Sequence, residues 1–240
     1  MRRFFTDALI TENLNIIITG SEANHIKNVL RLRAGDKIIL FNGSGHEYKA
    51  EIIAVSSNSV EAAVLQSIES WRESPADIII AQAFLKEKKM DEMIRPLSEL
   101  GISRWIPFIA ERSVSRPDEK RLAARYERWK SIAKESLKQC RRIKMLEIAP
   151  VLSFEEILRI GQDCDLRLIF WEKAVEAIPT QGHKIIALLG PEGGFSESEV
   201  KMAQDAGFAA VTLGPRILRA ETATIAASVM LQHCFGDMGL

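Results

Sequence analysis

Two glycine-bearing segments in the last quarter of the chain carry the residues best suited to chemistry. The first, Gly190-Pro191-Glu192-Gly193-Gly194-Phe195, follows an unbroken apolar run that ends at Leu189. It precedes Ser196-Glu197-Ser198-Glu199, in which Ser196 as cap and Glu199 three residues on form a capping box. The second, Leu213-Gly214-Pro215-Arg216-Ile217-Leu218-Arg219-Ala220-Glu221-Thr222, leaves another apolar run and leads into a helix towards Phe235. Two glycine loops would then leave the carboxyl ends of neighbouring strands, where open α/β sheets bind ligands, and glycine lets ligand atoms reach the backbone. Neither loop reads GxGxxG and no GxxxxGK[ST] occurs, so dinucleotide and P-loop sites lack their fingerprints. The first loop holds no lysine and offers Glu192 instead, which suits a ligand with positive charge and without a phosphate tail. Glycine alone favours a plain strand-to-helix turn. Arg216, Arg219, Glu221 and Thr222 beside apolar Ile217 and Leu218 turn the balance towards a site.

The elements that must position these loops fall into two patterns. Residues 15–19, 37–41, 48–55 and 59–68 read as short strands, with Asn42-Gly43-Ser44-Gly45 as a hairpin turn and one helix over 23–30 capped by Ser21. Strands at this spacing suggest a small barrel or sandwich. The polar stretch 69–75, with Pro75, marks a boundary, giving domains over 1–72 and 73–240. Beyond it, apolar runs at 77–84, 105–109, 166–171, 184–189 and 209–213 alternate with helical stretches at 86–100 and 120–140. That alternation means an α/β fold with a mostly parallel sheet. Met90, Met93, Ile94, Leu97 and Leu100 share one helix face, and Leu122, Tyr126, Trp129, Ile132, Ala133 and Leu137 share another. Pro96 should kink or split its helix, and Gly207 should end the helix after the first loop.

Thirty-two basic and thirty-two acidic residues cancel, which at face value argues against a nucleic-acid partner. The cancellation is uneven: residues 84–147 carry seventeen basic against ten acidic residues, and 148–240 carry seven against twelve. Cys140, Cys164 and Cys234 are odd in number and widely spaced, so buried or half-buried free thiols are expected rather than disulfides. With His25, His46, His183 and His233 they form no metal-ligand spacing, so no metal is expected. The basic pair Arg2-Arg3 has no apolar stretch of signal-peptide type behind it, and no run approaches the ~20 apolar residues of a membrane helix. No membrane association and a cytoplasmic location are expected.

The paired segments Gly190-Pro-Glu-Gly-Gly-Phe-Ser and Leu213-Gly-Pro-Arg-Ile-Leu-Arg-Ala-Glu-Thr-Ala, in this order, resemble the RsmE family of ribosomal RNA methyltransferases, within the SPOUT superfamily. His25-Ile-Lys-Asn-Val-Leu-Arg-Leu-Arg-Ala-Gly-Asp-Lys-Ile, Glu99-Leu-Gly-Ile, Glu111-Arg-Ser-Val and Lys138-Gln-Cys-Arg-Arg extend the likeness over nearly the whole chain. The resemblance implies S-adenosyl-L-methionine-dependent methylation of the N3 of one uridine in 16S rRNA of the small ribosomal subunit. It also implies a PUA-like β-barrel over 1–72, a homodimer, and a SPOUT α/β domain over 73–240 with a deep trefoil knot within about 165–235. The cofactor would lie between three loops, with Glu172, Leu189, Gly190, Pro191, Gly193 and Gly194 on one side. Leu213, Gly214, Ile217 and Leu218 would wall the adenine.

Uridine N3 carries a proton that must leave before or during attack, so a base, or a cation that stabilises the uridine anion, is required. Arg219 is the candidate cation, and Glu221 either orients it or takes the proton; equally, the two would pair only to hold the loop. For RNA contact the candidates are Arg2, Arg3, Lys27, Asn28, Arg31 and Arg33 in the first domain and Lys86, Arg112, Arg141 and Arg142 beyond it, with Lys88, Lys89, Arg116 and Lys144 in the same basic stretch. A solvated helix face with i,i+4 pairs is the rival reading of that charge. Phe4 and Phe5 read as core, and His183 and His233 as structural or exposed. The rival functions are methylation of a ribose 2′-oxygen or another base, and a non-catalytic RNA-binding assembly factor.

Overall fold

Short β-branched runs separated by glycine turns build a five-stranded sheet from the first part of the chain. The computed structural model describes residues 1–69, 72–114 and 118–239. Ser70 and Trp71 of the expected linker, and Arg116, lie outside them. Strands β1 (Arg2–Phe5), β2 (Asn15–Thr19), β3 (Lys37–Phe41), β4 (Glu47–Val55) and β5 (Ser59–Ile68) lie in the order β1-β3-β4-β5-β2. Only β1 and β3 pair in parallel. Alternate residues (Ile16, Ile18, Ile38, Leu40, Ala50, Ile52, Val60, Ala62, Val64) turn into one core with Phe4. Two register shifts, at Lys49/Ala50 and Ile52/Ala54, break the β4–β5 ladder, the kind of irregularity that bends a strand and curls a sheet. The helix between β2 and β3 starts earlier than expected: α1 (Gly20–Asn24) continues as a π-helical turn, His25–Val29. Ser21 is therefore inside the helix, and Thr19 occupies the cap position without a side-chain bond.

Leu137–Met145 clusters with this first unit. The N–H of Gly45 donates to Ile143 O and that of Met145 to Gly43 O, both at 3.0 Å. Gly43 is needed there twice over: φ is +81°, and a Cβ would stand 3.0 Å from Met145 Cβ.

The second unit comprises Ser74–Ser136 and Leu146–Leu240. Its elements are β6 (Asp77–Ala83), α2 (Glu87–Glu99), β7 (Arg104–Ile109), α3 (Glu119–Cys140, whose last turn belongs to the first unit), β8 (Glu147–Ile148), β9 (Leu152–Ser153), α4 (Phe154–Gly161), β10 (Leu166–Phe170), β11 (Lys184–Leu189), α5 (Glu197–Asp205), β12 (Ala209–Val211) and α6 (Ala220–Phe235). The strands run β12-β10-β11-β6-β7-β8, with β9 also on β7, every pair parallel. Both faces are covered, so central strands are apolar without interruption. Ile78, Ile80, Ile185 and Ala187 pack with α2, α3 and α6, whereas Ile79, Ala81, Ile186 and Leu188 pack with α4 and α5. Pro96 does not split α2. It lies in the last turn, where the missing N–H removes one helical bond, and Met90, Met93, Ile94 and Leu97 keep the face buried. The helix α4 was not anticipated, although Ser153 and Glu156 form a complete capping box at its start. Cys164 is buried and Cys140 half-buried as expected, whereas Cys234 is exposed.

Candidate active site

The order of the sheet sets the site. From β10 the chain moves to β11 on one side and then returns to β12 on the other, so the loops leaving β10, β11 and β12 meet at one carboxyl edge. Such a reversal is where α/β sheets open a crevice. The three loops enclose a cavity of about 460 Å³, in the range of small-molecule sites. Glu172 lines it from the β10 loop, and Leu189, Gly190, Pro191, Gly193 and Gly194 from the β11 loop. Leu213, Gly214, Ile217 and Leu218 line it from the β12 loop, with Arg219 beside them. The structure thus gathers every residue expected around the ligand.

The β11 loop is braced by buried chemistry. Phe195 is buried between Phe108 and Phe154, anchoring the end of the β11 loop. Ser196 and Glu199 form the expected capping box, and the Ser196 hydroxyl also donates to Glu111 Oε2 at 2.6 Å. Gly194 has φ +66°, and a Cβ there would stand 3.3 Å from Glu172 Oε1, so glycine lets the carboxylate lie against the loop. Gln82, fully buried at the end of β6, was missed by sequence reasoning. Its amide nitrogen donates to Ala83 O at 3.0 Å, Gly190 O at 3.2 Å and Leu189 O at 3.4 Å, while its oxygen accepts from the Thr224 hydroxyl on α6. One side chain therefore ties the exit of β11 to the first turns of α6.

Lys89 was also misplaced by sequence reasoning, which saw no lysine with the first loop. Its Nζ stands 3.3 Å from Glu192 Oε1 and 3.0 Å from Glu221 Oε2, on the cavity wall. The bond to Glu221 first, and then Glu192, raise the ammonium's pKa against the opposing effect of burial. Burial works against ionisation of Glu221, but its own backbone N–H, Lys89 and Arg219 outweigh it and hold the carboxyl below its ordinary value. Among the described residues Glu221 forms its ion pair with Lys89, and Arg219 acts on it only through its charge. Arg219 occupies the cap position of α6 with an exposed side chain and, among the described residues, forms no ion pair.

A profile of an RNA methyltransferase domain matches residues 72–232, and one of an RNA methyltransferase PUA domain matches 18–65. Ribosomal RNA small subunit methyltransferase E of Bacillus subtilis is 36% identical, the match covering 94% of this chain and 93% of the relative. The chain belongs to the ribosomal RNA small subunit methyltransferase E family. A second member, from Mesomycoplasma hyopneumoniae, is 30% identical over 99% of this chain and 100% of its own. The crystal structure of the Neisseria gonorrhoeae member bound to S-adenosyl methionine superposes with a TM-score of 0.84, at 31% identity and 99% coverage of both chains.

Within this methyltransferase family member the RNA candidates separate by environment. Arg2, Arg31, Arg33, Arg141, Asn28 and Lys86 are exposed, although Asn28 bonds Asn24 at 2.6 Å. Lys27 is half-buried and its Nζ donates to Ser57 O at 3.3 Å. Two expectations need correcting. Arg3 is 2.5 Å from the buried Glu47 and lies 4.2 Å over the Phe41 ring. Arg142 is itself 6% exposed and grips Glu73 at 2.9 and 3.1 Å. Both guanidiniums hold the first unit together. Arg112 is exposed but donates to Gly193 O at 3.2 Å, so it braces the β11 loop. Among the described residues, no group of His, Cys, Asp or Glu is placed to hold a metal, and no helix is long and apolar enough to cross a membrane.

Proposed function

We propose that the chain uses S-adenosyl-L-methionine to methylate the N3 of a specific uridine in 16S rRNA of the small ribosomal subunit, in the cytoplasm. The observation that carries this reading is the single cavity lined jointly by the three loops after β10, β11 and β12, with every residue assigned by resemblance to the cofactor on its wall. The residues suit that group. The described wall offers glycine backbone, apolar surface and the carboxylates of Glu172 and Glu192, and its lysine, Lys89, is paired with Glu192 and Glu221, unlike the lysine of a phosphate-binding glycine loop. Ile217 is 88% exposed at the rim, an apolar side chain with surface for a flat ring to cover. Gly190 and Gly194 would give backbone contact, and Leu213, Gly214, Ile217 and Leu218 would hold the adenine.

The bound cofactor supplies a methyl on a sulfonium: the N3–carbon bond forms as the carbon–sulfur bond breaks, the sulfur becomes a neutral thioether, and the N3 proton must go elsewhere. The chain's own task is to orient the uracil and to stabilise its anion. Arg219, exposed at the start of α6, is one cation within reach of that task.

The finer architecture belongs to the same reading. Residues 1–72 form an RNA-binding domain and 73–240 a SPOUT domain, with a trefoil knot within about 165–235 and a homodimer as the working form. The return of the chain past β10 to reach β12 is the connection on which such a knot would rest. Exposed Arg2, Arg31, Arg33, Arg141, Asn28 and Lys86 are the residues left to meet RNA. The test is incubation of unmodified small subunits with methyl-labelled cofactor, followed by nucleoside analysis. Label in 3-methyluridine is expected. Label in a 2′-O-methyl nucleoside or in another base, or no transfer, would refute the reading.

A further inference from the structure

The cavity contains charge but no group matched to the proton it must remove. Its described wall has no histidine, cysteine or tyrosine; the proton acceptors are the carboxylates of Glu172 and Glu192, with Glu221 just behind Lys89. A carboxylate is far too weak a base for an imide N–H that ionises well above neutrality, and a general base works best when its pKa lies near the working pH. Ionisation of the uracil must therefore be helped by positive charge fixed where the negative charge appears.

Three cations line the wall: Arg216, Arg219 and Lys89. The two arginines are exposed and, among the described residues, have no ion-pair partner, so nothing in the structure fixes their charge in place. Lys89 differs. It reaches in from α2, with 27% of its side chain exposed, and is gripped by carboxylates from two other elements, the β11 loop and the first turn of α6. An ammonium has three N–H donors. Glu192 and Glu221 hold it by charge from two sides, at 3.3 and 3.0 Å, and the group also borders the cavity. Resting on the reaction read above, we propose that Lys89, fixed between Glu192 and Glu221, is the cation that holds the negative charge on the uracil oxygens as N3 releases its proton to solvent. Glu192 and Glu221 are then positioning residues, and Lys89 a catalytic one.

The test compares wild type, Lys89→Met and Lys89→Arg on unmodified small subunits. It measures 3-methyluridine formation from neutral to alkaline pH, with cofactor affinity followed separately by calorimetry using S-adenosyl-L-methionine alone. Lys89→Met should lose about 100- to 1000-fold in kcat, the effect of deleting one preorganised stabilising donor, while still binding cofactor. The loss should shrink as pH rises and the uracil ionises unaided, and Lys89→Arg should recover most of the activity. Equal rates for wild type and Lys89→Met would overturn the inference alone. So would a loss that is constant across pH and matched by lost cofactor binding, since Lys89 would then only hold the wall together. Absence of 3-methyluridine from the wild type would overturn the reading of the reaction and this inference with it.

Discussion

Gln82→Met removes the amide that joins β6, β11 and α6 while keeping an unbranched side chain of similar length. Two carbonyls, Ala83 O and Gly190 O, lose donors at 3.0 and 3.2 Å; the Leu189 contact at 3.4 Å is marginal. Thr224 loses the Gln82 oxygen but keeps Ala220 O at 2.9 Å. Each stranded buried acceptor costs about 1–3 kcal/mol, and the apolar replacement returns about 1 kcal/mol. The net is a loss of about 1–5 kcal/mol, which lowers Tm by about 2–20 °C in a domain of this size. Trp105 and Trp129 are fully buried in that unit, so intrinsic fluorescence reports its unfolding. Because Gly190 begins the β11 loop, part of the cost falls on loop order, and cofactor affinity should drop about tenfold for each 1.4 kcal/mol that does. A Tm within about 2 °C of wild type, with cofactor affinity unchanged, would show that Gln82 is a passenger in the core.

Gly194→Ala forces a left-handed residue and sets a methyl beside Glu172, so about 1–2 kcal/mol of strain should weaken cofactor binding roughly tenfold in calorimetry. Glu73→Gln takes the Glu73 carboxylate away from buried Arg142 and should cost about 3–5 kcal/mol in denaturant unfolding of the first unit. Replacing exposed Arg31 or Arg141 by alanine should instead leave stability nearly intact and reduce the salt slope of RNA binding by about one; an unchanged slope removes that residue from the interface. The Lys89 cluster also sets a pH window. Glu221 ionises below its ordinary 4.5 and Lys89 stays charged above its ordinary 10.5. The stabilisation from Glu221 is therefore lost only as pH falls through its lowered pKa, and that from Lys89 only as pH rises through its raised one. The cluster's own contribution should be flat from about pH 6 to 9, so a step in cofactor affinity there, beyond the one from the cofactor's own α-amino group, would mean that another group titrates in the cavity.

What could be read from the chain follows from how far apart the cooperating residues lie. The loops at Gly190 and Leu213 announce themselves because each is one contiguous stretch, with glycines, a capping box and an apolar strand in fixed order, and the structure brings both to one cavity. Strand runs such as 184–189 were legible for the same reason: burial on both faces leaves an uninterrupted apolar word. Gln82 and Lys89 were not, since each sits about a hundred residues ahead of the loop it serves, in a strand and a helix whose own patterns are fully explained by packing. A lone polar residue in a buried strand becomes informative only when the sheet order places β6 against β11. Arg142 fails in the opposite direction. Beside exposed Arg141 in a basic stretch it reads as a phosphate contact, yet the chain turns there with Arg141 at φ +66°, sending its neighbour inward onto Glu73. Charge in a sequence shows how many ions there are; which of them face a ligand is decided by the carboxylates the fold sets against them. Lys89 lies beside the ligand cavity because Glu192 and Glu221 hold it there.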